Sequence, residues 1–135
     1  HAQFRQTTWG MDRESVKSTE EKEPAQETVL ALLYQTELFG EQVVLGYMFD
    51  EGKLFAGMYD EIPTDLDSRI IQELTRRYGA AKPMPPEMRE GSYWETEQTS
   101  ITLGRYPHGE SFFLFYESKA LAEALRRRTD AEAPL

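Results

Sequence analysis

Few residues in this chain combine reactive chemistry with a useful spacing. His108 is the one internal histidine and sits in a Pro107-His108-Gly109 turn beside Glu110. A metal would need further ligands from the fold, and a general base would need an oriented nucleophile or substrate. His108 therefore reads as a solvated turn residue. Asp60, Glu61, Asp65 and Asp67 form the densest carboxylate group. They lack the glycine and terminal glutamate of an EF-hand calcium loop, and negative charge at a helix start accounts for them. Ser15, Ser68, Ser92, Ser100, Ser111 and Ser118 include no Gly-x-Ser-x-Gly elbow, and neither a phosphate-cradling Gly-x-x-x-x-Gly-Lys loop nor a dinucleotide Gly-x-Gly-x-x-Gly is present. The absence of cysteine excludes disulfides, thiolate metal sites and cysteine nucleophiles. No catalytic, metal or cofactor-binding residue is assigned, and the expectation is a protein that is not an enzyme.

The aromatic residues carry a different signal. Tyr93, Trp94, Phe112, Phe113, Phe115 and Tyr116 concentrate in the C-terminal strand region, and strand alternation sends them to opposite faces of a sheet. One face is expected to be core beneath the helices. The other, with Phe113 and Phe115, is a second packed face or an exposed patch for a partner. Core packing is the default for such residues, and Tyr93, Trp94, Phe113 and Phe115 are the candidate partner-binding set.

The elements that must position these residues follow from capping and periodicity. Asp12 can cap a short helix ending near Glu20, with Met11 and Val16 at the spacing of a hydrophobic staple. Glu21 to Gln26 is polar, contains Pro24 and reads as an exposed connection. Val29–Leu38, Gln42–Phe49 and Lys53–Tyr59 are expected strands of an antiparallel meander, the second central because both its faces are apolar. Gly52 is expected to close a type I turn with a glycine bulge. A helix is expected over Asp65–Tyr78, with Thr64 and Asp67 as a capping pair and Gly79 as its stop. Lys82 to Glu87 is proline-rich and reads as a stiff loop. Tyr93–Glu97, Ser100–Arg105 and Ser111–Tyr116 are further strands, and Ser118 caps a last helix to about Arg128.

The expected fold is a single α+β domain over 1–135, an antiparallel sheet or sheets with helices on one side, in the order α-β-β-β-α-β-β-β-α. Residues 1–6 and 129–135 are expected to be flexible. A chain of 135 residues buries roughly two-thirds of its unfolded surface and folds without metal or disulfide. With 24 acidic against 15 basic residues the net charge is −9, which opposes attraction to nucleic acid or anionic lipid. Arg76-Arg77 and Arg126-Arg127-Arg128 fall near expected helix ends, where cations complement the dipole. No transmembrane segment is expected, since no run approaches the ~20 apolar residues needed. His1-Ala2 fits the end of an Ala-x-Ala signal-peptidase site, or equally a cloning remnant.

The opening Phe4-x-x-Thr7-x-Trp9-Gly10-Met11-Asp12-x-Glu14-x-Val16 resembles the Phe-x-x-x-x-Trp-Gly-Met-Ser-x-Glu-x-Val start of small exported bacterial proteins of unknown function. Leu45-Gly46-Tyr47-x-Phe49, Lys53-Leu54 and Phe115-Tyr116-x-Ser118-Lys119 also look like that group. More distantly, the first helix and meander are similar to outer-membrane assembly lipoproteins of the SmpA/OmlA (BamE) type and to the β-lactamase-inhibitor-like fold. Asp12 stands where those proteins carry Ser or Thr, an equivalent cap.

The resemblance implies a non-enzymatic periplasmic or cell-envelope protein, exported with its signal sequence removed, that binds another envelope protein through a sheet face or edge. An acidic, dimeric cytosolic chaperone resembling those of type III secretion is the alternative. A hydrolase or small-ligand carrier with its site between helix and sheet is the third reading, with Tyr47, Tyr59, Arg105 and His108 as the residues to follow.

Overall fold

The computed structural model describes residues 2–84, 91–107 and 109–132. Helix α1 (Arg13–Thr19) precedes strands β1 (Gln26–Glu27), β2 (Ala31–Leu38), β3 (Glu41–Asp50) and β4 (Lys53–Pro63). A 3-10 turn at Thr64–Leu66 leads into helix α2 (Asp67–Tyr78). Strands β5 (Lys82–Pro83), β6 (Gly91–Glu95), β7 (Thr99–Arg105) and β8 (Ser111–Ser118) follow, and helix α3 (Lys119–Glu132) closes the described chain. The α+β class and the expected order hold, with β1 and β5 added. Both additions fall in segments read as connections. Strands of two residues have no alternation to announce them. The remainder of the proline-rich segment, 85–87, lies with 88–90 and His108 outside the described residues.

All strands pair antiparallel in one eight-stranded sheet of order β1-β2-β3-β4-β8-β7-β6-β5. Each half is a four-stranded meander, and the halves join where β4 pairs with β8. The β2–β3 and β3–β4 hairpins both turn on two residues with positive φ, Phe39-Gly40 and Glu51-Gly52. That is the mirror-image turn whose twist matches the flanking strands, in place of the expected type I turn with a bulge.

The caps are partly as expected. Asp12 accepts from the Ser15 N–H at 2.8 Å, and the Ser118 hydroxyl accepts from the Leu121 N–H at 3.1 Å. Gly79, at φ +92°, ends α2. The Thr64–Asp67 capping pair does not form, because the chain enters α2 through the 3-10 turn and Asp67 instead holds Arg105.

Alternation and register define the two faces of the sheet. On the inner face one rung runs Leu32–Tyr47–Gly57–Tyr116–Ile101–Trp94, and the next Tyr34–Leu45–Tyr59–Leu114–Leu103. Helix α1 covers the first half of this face through Val16, and α2 covers the second through Ile70 and Leu74. Tyr59 and Tyr116 touch both core clusters. Helix α3 directs its ion pairs to Glu95, Glu117 and Asp50, which alternate onto the other face.

The N-terminal segment supplies the centre of the core. Phe4, within residues expected to be flexible, is buried at 2 % exposure over Gly57, with ring contacts to Tyr47, Tyr59 and Tyr116 at 5.6, 5.5 and 4.9 Å. Buried Thr7 holds the turn by donating its hydroxyl to the Phe4 carbonyl. Downstream, Gly10 N–H donates to Leu54 O and Leu54 N–H to Met11 O, while the Trp9 indole N–H donates to Thr99 Oγ1 at 2.8 Å. The Trp9-Gly10-Met11-Asp12 turn thus caps α1, extends the β4 ladder and bonds to the far meander. At the other end, α3 continues to Glu132, past the start of the tail expected to be flexible from Thr129.

A Cβ at Gly57 would lie 2.1 Å from the Phe4 ring. Gly57→Ala is expected to cost about 1–3 kcal/mol by overpacking, and Phe4→Ala about 3–5 kcal/mol by leaving the site empty. In urea denaturation the double variant should lose less than the sum, since both changes break one contact.

Candidate functional site

Two surfaces combine shape with chemistry: the outer sheet face, and the edge of α2 over the inner face. The outer face carries the rung Leu33–Gly46–Met58–Phe115–Thr102–Tyr93–Lys82. Leu33, Met58, Phe115 and Tyr93 are all partly exposed on it. Val44, Met48 and Phe113 extend the apolar surface to either side, and each is partly exposed. Glycines flatten the rung: a Cβ at Gly46 would meet Leu33 at 3.3 Å, and one at Gly104 would meet the Phe113 ring at 2.3 Å. Phe113 therefore lies over Gly104, beside Tyr106 at 5.3 Å, and Tyr106 donates to Asp60 at 2.6 Å.

Of the four aromatic candidates, Tyr93, Phe113 and Phe115 share this outer face. Trp94 does not. It is 1 % exposed on the inner face beneath α2, where its indole N–H has no hydrogen-bond partner among the described residues. Adjacent strand residues point to opposite sides, so Tyr93 and Trp94 could not both have belonged to one patch. Leu33, Met58 and Met48 were missed because they lie in the first meander, far in sequence from the aromatic cluster. The signal available was the second apolar face of β3, carried by Val44, Gly46 and Met48.

The inner side carries a partly buried polar network. Arg5 donates from Nε and Nη2 to Glu20 at 2.9 and 3.1 Å and from Nη1 to the Tyr59 hydroxyl at 2.9 Å. The Tyr47 hydroxyl donates to the same carboxylate. Glu20 has only 7 % of its side chain exposed, so its charge depends on these donors. Burial, then the Glu20 carboxylate, push the Tyr47 hydroxyl well above its ordinary pKa. For Arg5, burial works against the charge, and the bonds to Glu20 and Tyr59 overcome it to raise the pKa.

Between α2 and the sheet runs a half-open groove of about 250 Å³. Leu38, Ile70, Leu74 and Leu114 give it apolar walls; Tyr59 and Tyr116 bring hydroxyls, and Glu73 and Arg77 stand on its α2 side. Arg76 and Arg77 donate to Glu73 at 2.6 and 2.8 Å and hold its carboxyl down to about 2. The residues of the helix-and-sheet reading do not converge here. Tyr59 lines the groove, whereas Tyr47 is fully buried and Arg105 is engaged by Asp67. Among the described residues no group of three or more His, Asp or Glu side chains is placed to hold a metal ion. No described helix is long and apolar enough to cross a membrane.

These features define an α+β protein with a single antiparallel sheet, two helices on one face and an incompletely covered apolar surface on the other. Set against family models, curated proteins and solved structures, the chain finds no match.

Two expectations follow for the polar groups. Replacing Arg5 by Met takes from Glu20 the two hydrogen bonds that Arg5 donates and leaves it the one from Tyr47. The loss is expected to be about 2 kcal/mol in urea denaturation, below the ~3–5 kcal/mol of a fully buried pair because the Arg5 side chain is 29 % exposed. Glu73 and Glu95 are both held down to about 2, by Arg76 with Arg77 and by Lys119 with Lys82. The unfolded chain takes up these protons first on acidification, so the contribution is complete above the ordinary 4.5 and lost as pH falls towards 2. Side-chain carboxyl NMR should find both groups still ionised at pH 3.5, where ordinary glutamates are largely protonated.

Proposed function

We propose that this is a non-enzymatic periplasmic or cell-envelope protein that binds another protein through the outer face of its sheet. The observation that carries the reading is the outer-face rung from Leu33 to Tyr93, which crosses six strands and presents Leu33, Met58, Phe115 and Tyr93, with Gly46 and Thr102 between them and neither α1 nor α2 over it. Large side chains held partly exposed on a rigid sheet, without the entropy of a loop, suit a binding surface. Assignment to the envelope rests on the resemblance of the opening motif and of the Leu45–Phe49 segment to small exported proteins.

Face binding is favoured over edge binding. The outermost strands β1 and β5 are two residues long, and Pro83 has no N–H to offer an added strand. The second reading, a dimeric acidic chaperone, would use the same rung as a self-complementary interface.

Crosslinking in the source cell is expected to capture one reproducible envelope protein. Met58→Lys combined with Phe115→Glu should abolish that capture while far-ultraviolet circular dichroism stays unchanged. Recovery of the chain in the cytosolic fraction alone, or capture unaffected by the double change, would refute the proposal. A dimer by light scattering that the same change splits would favour the chaperone reading instead.

A further inference from the structure

Strand β2 is longer than the strand that covers its outer side. All of Ala31–Leu38 pairs with β3, whereas β1 meets only Leu32 and Leu33. Past that point the neighbouring chain leaves the ladder: the Ala25 N–H still reaches the Leu33 carbonyl at 2.7 Å, but Pro24 has no N–H to continue with. The known bonds tell which way each residue faces. Leu30 O accepts from the Phe49 N–H on the β3 side, while Ala31 O and Leu33 O accept from Thr28 and Ala25 on the β1 side. Direction alternates along an antiparallel strand, so Gln35 and Glu37 turn both N–H and C=O away from β3. Both residues are exposed, and on that edge their backbone groups have no partner among the described residues. Donors and acceptors set out at strand spacing are complementary to another extended chain.

This edge is also complementary to itself. Set antiparallel to a second copy about a two-fold axis at Thr36, it pairs Gln35 with Glu37 of the partner subunit and Glu37 with the partner subunit's Gln35, each pair exchanging both backbone bonds. No other two-fold register uses both residues. Centred on Gln35, Glu37 would fall opposite a Leu33 already held by β1; centred on Glu37, Gln35 would fall opposite Phe39, in the turn to β3. The side chains agree with the Thr36 register. On the outer face each Gln35 amide meets a Glu37 carboxylate, so no like charges are opposed. Glu37 accepts from Gln42 through Oε1, which leaves Oε2 for that amide. On the inner face Thr36 meets its own copy, and Tyr34 meets Leu38 of the partner subunit. The axis stands perpendicular to the sheet, so inner face continues into inner face and the two eight-stranded sheets become one.

We infer that the open edge of β2, residues 34–38, is the interface of a homodimer, joined strand to strand in antiparallel register about Thr36. The contact is small, so the dimer is weak and depends on concentration. The charge of −9 on each copy opposes it, and added salt strengthens it by screening that repulsion. The two outer rungs come to lie on one side of the joined sheet, and only that consequence bears on the protein-binding reading.

Sedimentation velocity on the whole chain should show a monomer–dimer equilibrium that moves to dimer with concentration and with salt. Amide exchange at Gln35 and Glu37 should slow as the dimer forms. Gln35→Glu sets carboxylate against carboxylate at both pairs and should weaken association roughly tenfold. Adding Glu37→Gln to it should restore association, a rescue that a damaged fold cannot imitate. The chain has no cysteine, so Thr36→Cys gives each copy one thiol. Opposed residues of such a non-hydrogen-bonded pair lie about 4.5 Å apart at Cα, within reach of a disulfide. Under mild oxidation Thr36→Cys should become a covalent dimer faster than Val29→Cys, although Val29 is 88 % exposed. A monomer at every concentration up to about 1 mM, whether or not residues 35–37 take a segment of another protein, would overturn the inference. So would unslowed exchange at Gln35 and Glu37, a failed rescue, no advantage for Thr36→Cys, or a dimer split by Met58→Lys with Phe115→Glu but not by Gln35→Glu. None of these results touches capture of an envelope protein by the outer face, so the two proposals fail separately.

Discussion

Phe4 resting on Gly57 is the contact on which the rest of the structure depends. The glycine lies in mid-rung between Tyr47 and Tyr116, where any side chain would fill the space the ring occupies. With the ring in place, Tyr59 and Tyr116 are packed against it at 5.5 and 4.9 Å. Arg5, the next residue, is thereby set over Glu20 and Tyr59. One buried aromatic ring thus joins two core clusters that α1 and α2 would otherwise cover separately.

The two faces of the sheet are covered differently. On the inner face each helix supplies apolar residues at helical spacing, and the cores close over buried Val16, Ile70 and Leu74. Helix α3 buries Ala122 and adds ion pairs from Arg128 to Asp50 and Glu51, Arg126 to Glu117, and Lys119 to Glu95. Exposed pairs of this kind contribute little individually. The side chains of the outer rung stay partly exposed, and β1 and β5, each two residues long, stand at the two edges of the sheet.

Much of this architecture was legible in the sequence. Asp12, Gly79 and Ser118 mark helix ends by capping chemistry, which is local, and the alternation of Val43, Leu45, Tyr47 and Phe49 marks the inner face of β3. What was not legible was non-local. The pairing of β4 with β8 makes one sheet out of two meanders, and no residue pattern encodes it. Phe4 reads as an unsupported aromatic near a terminus until Gly57 is seen beneath it. The candidate partner surface was half visible: Phe113 and Phe115 fall on the outer face by alternation, but Met58 joins them only through strand pairing, and Trp94 leaves them because its neighbour Tyr93 takes that face. Of the α2 groove only its place between helix and sheet and one lining residue, Tyr59, were visible, since the rest depends on where α2 crosses the sheet.

The bond from Trp9 to Thr99 joins residues 90 apart, and Gln3 reaches Gln98 across 95. Both tie the segment around Phe4 to the turn between β6 and β7. During synthesis Phe4 is made well before the whole of its seat, which includes Tyr116 of β8. Contacts of such long range form slowly. Until β8 arrives, the Phe4 ring lacks part of the surface that buries it. Between those two moments an aromatic side chain destined for the centre of the core is open to whatever else the nascent chain meets.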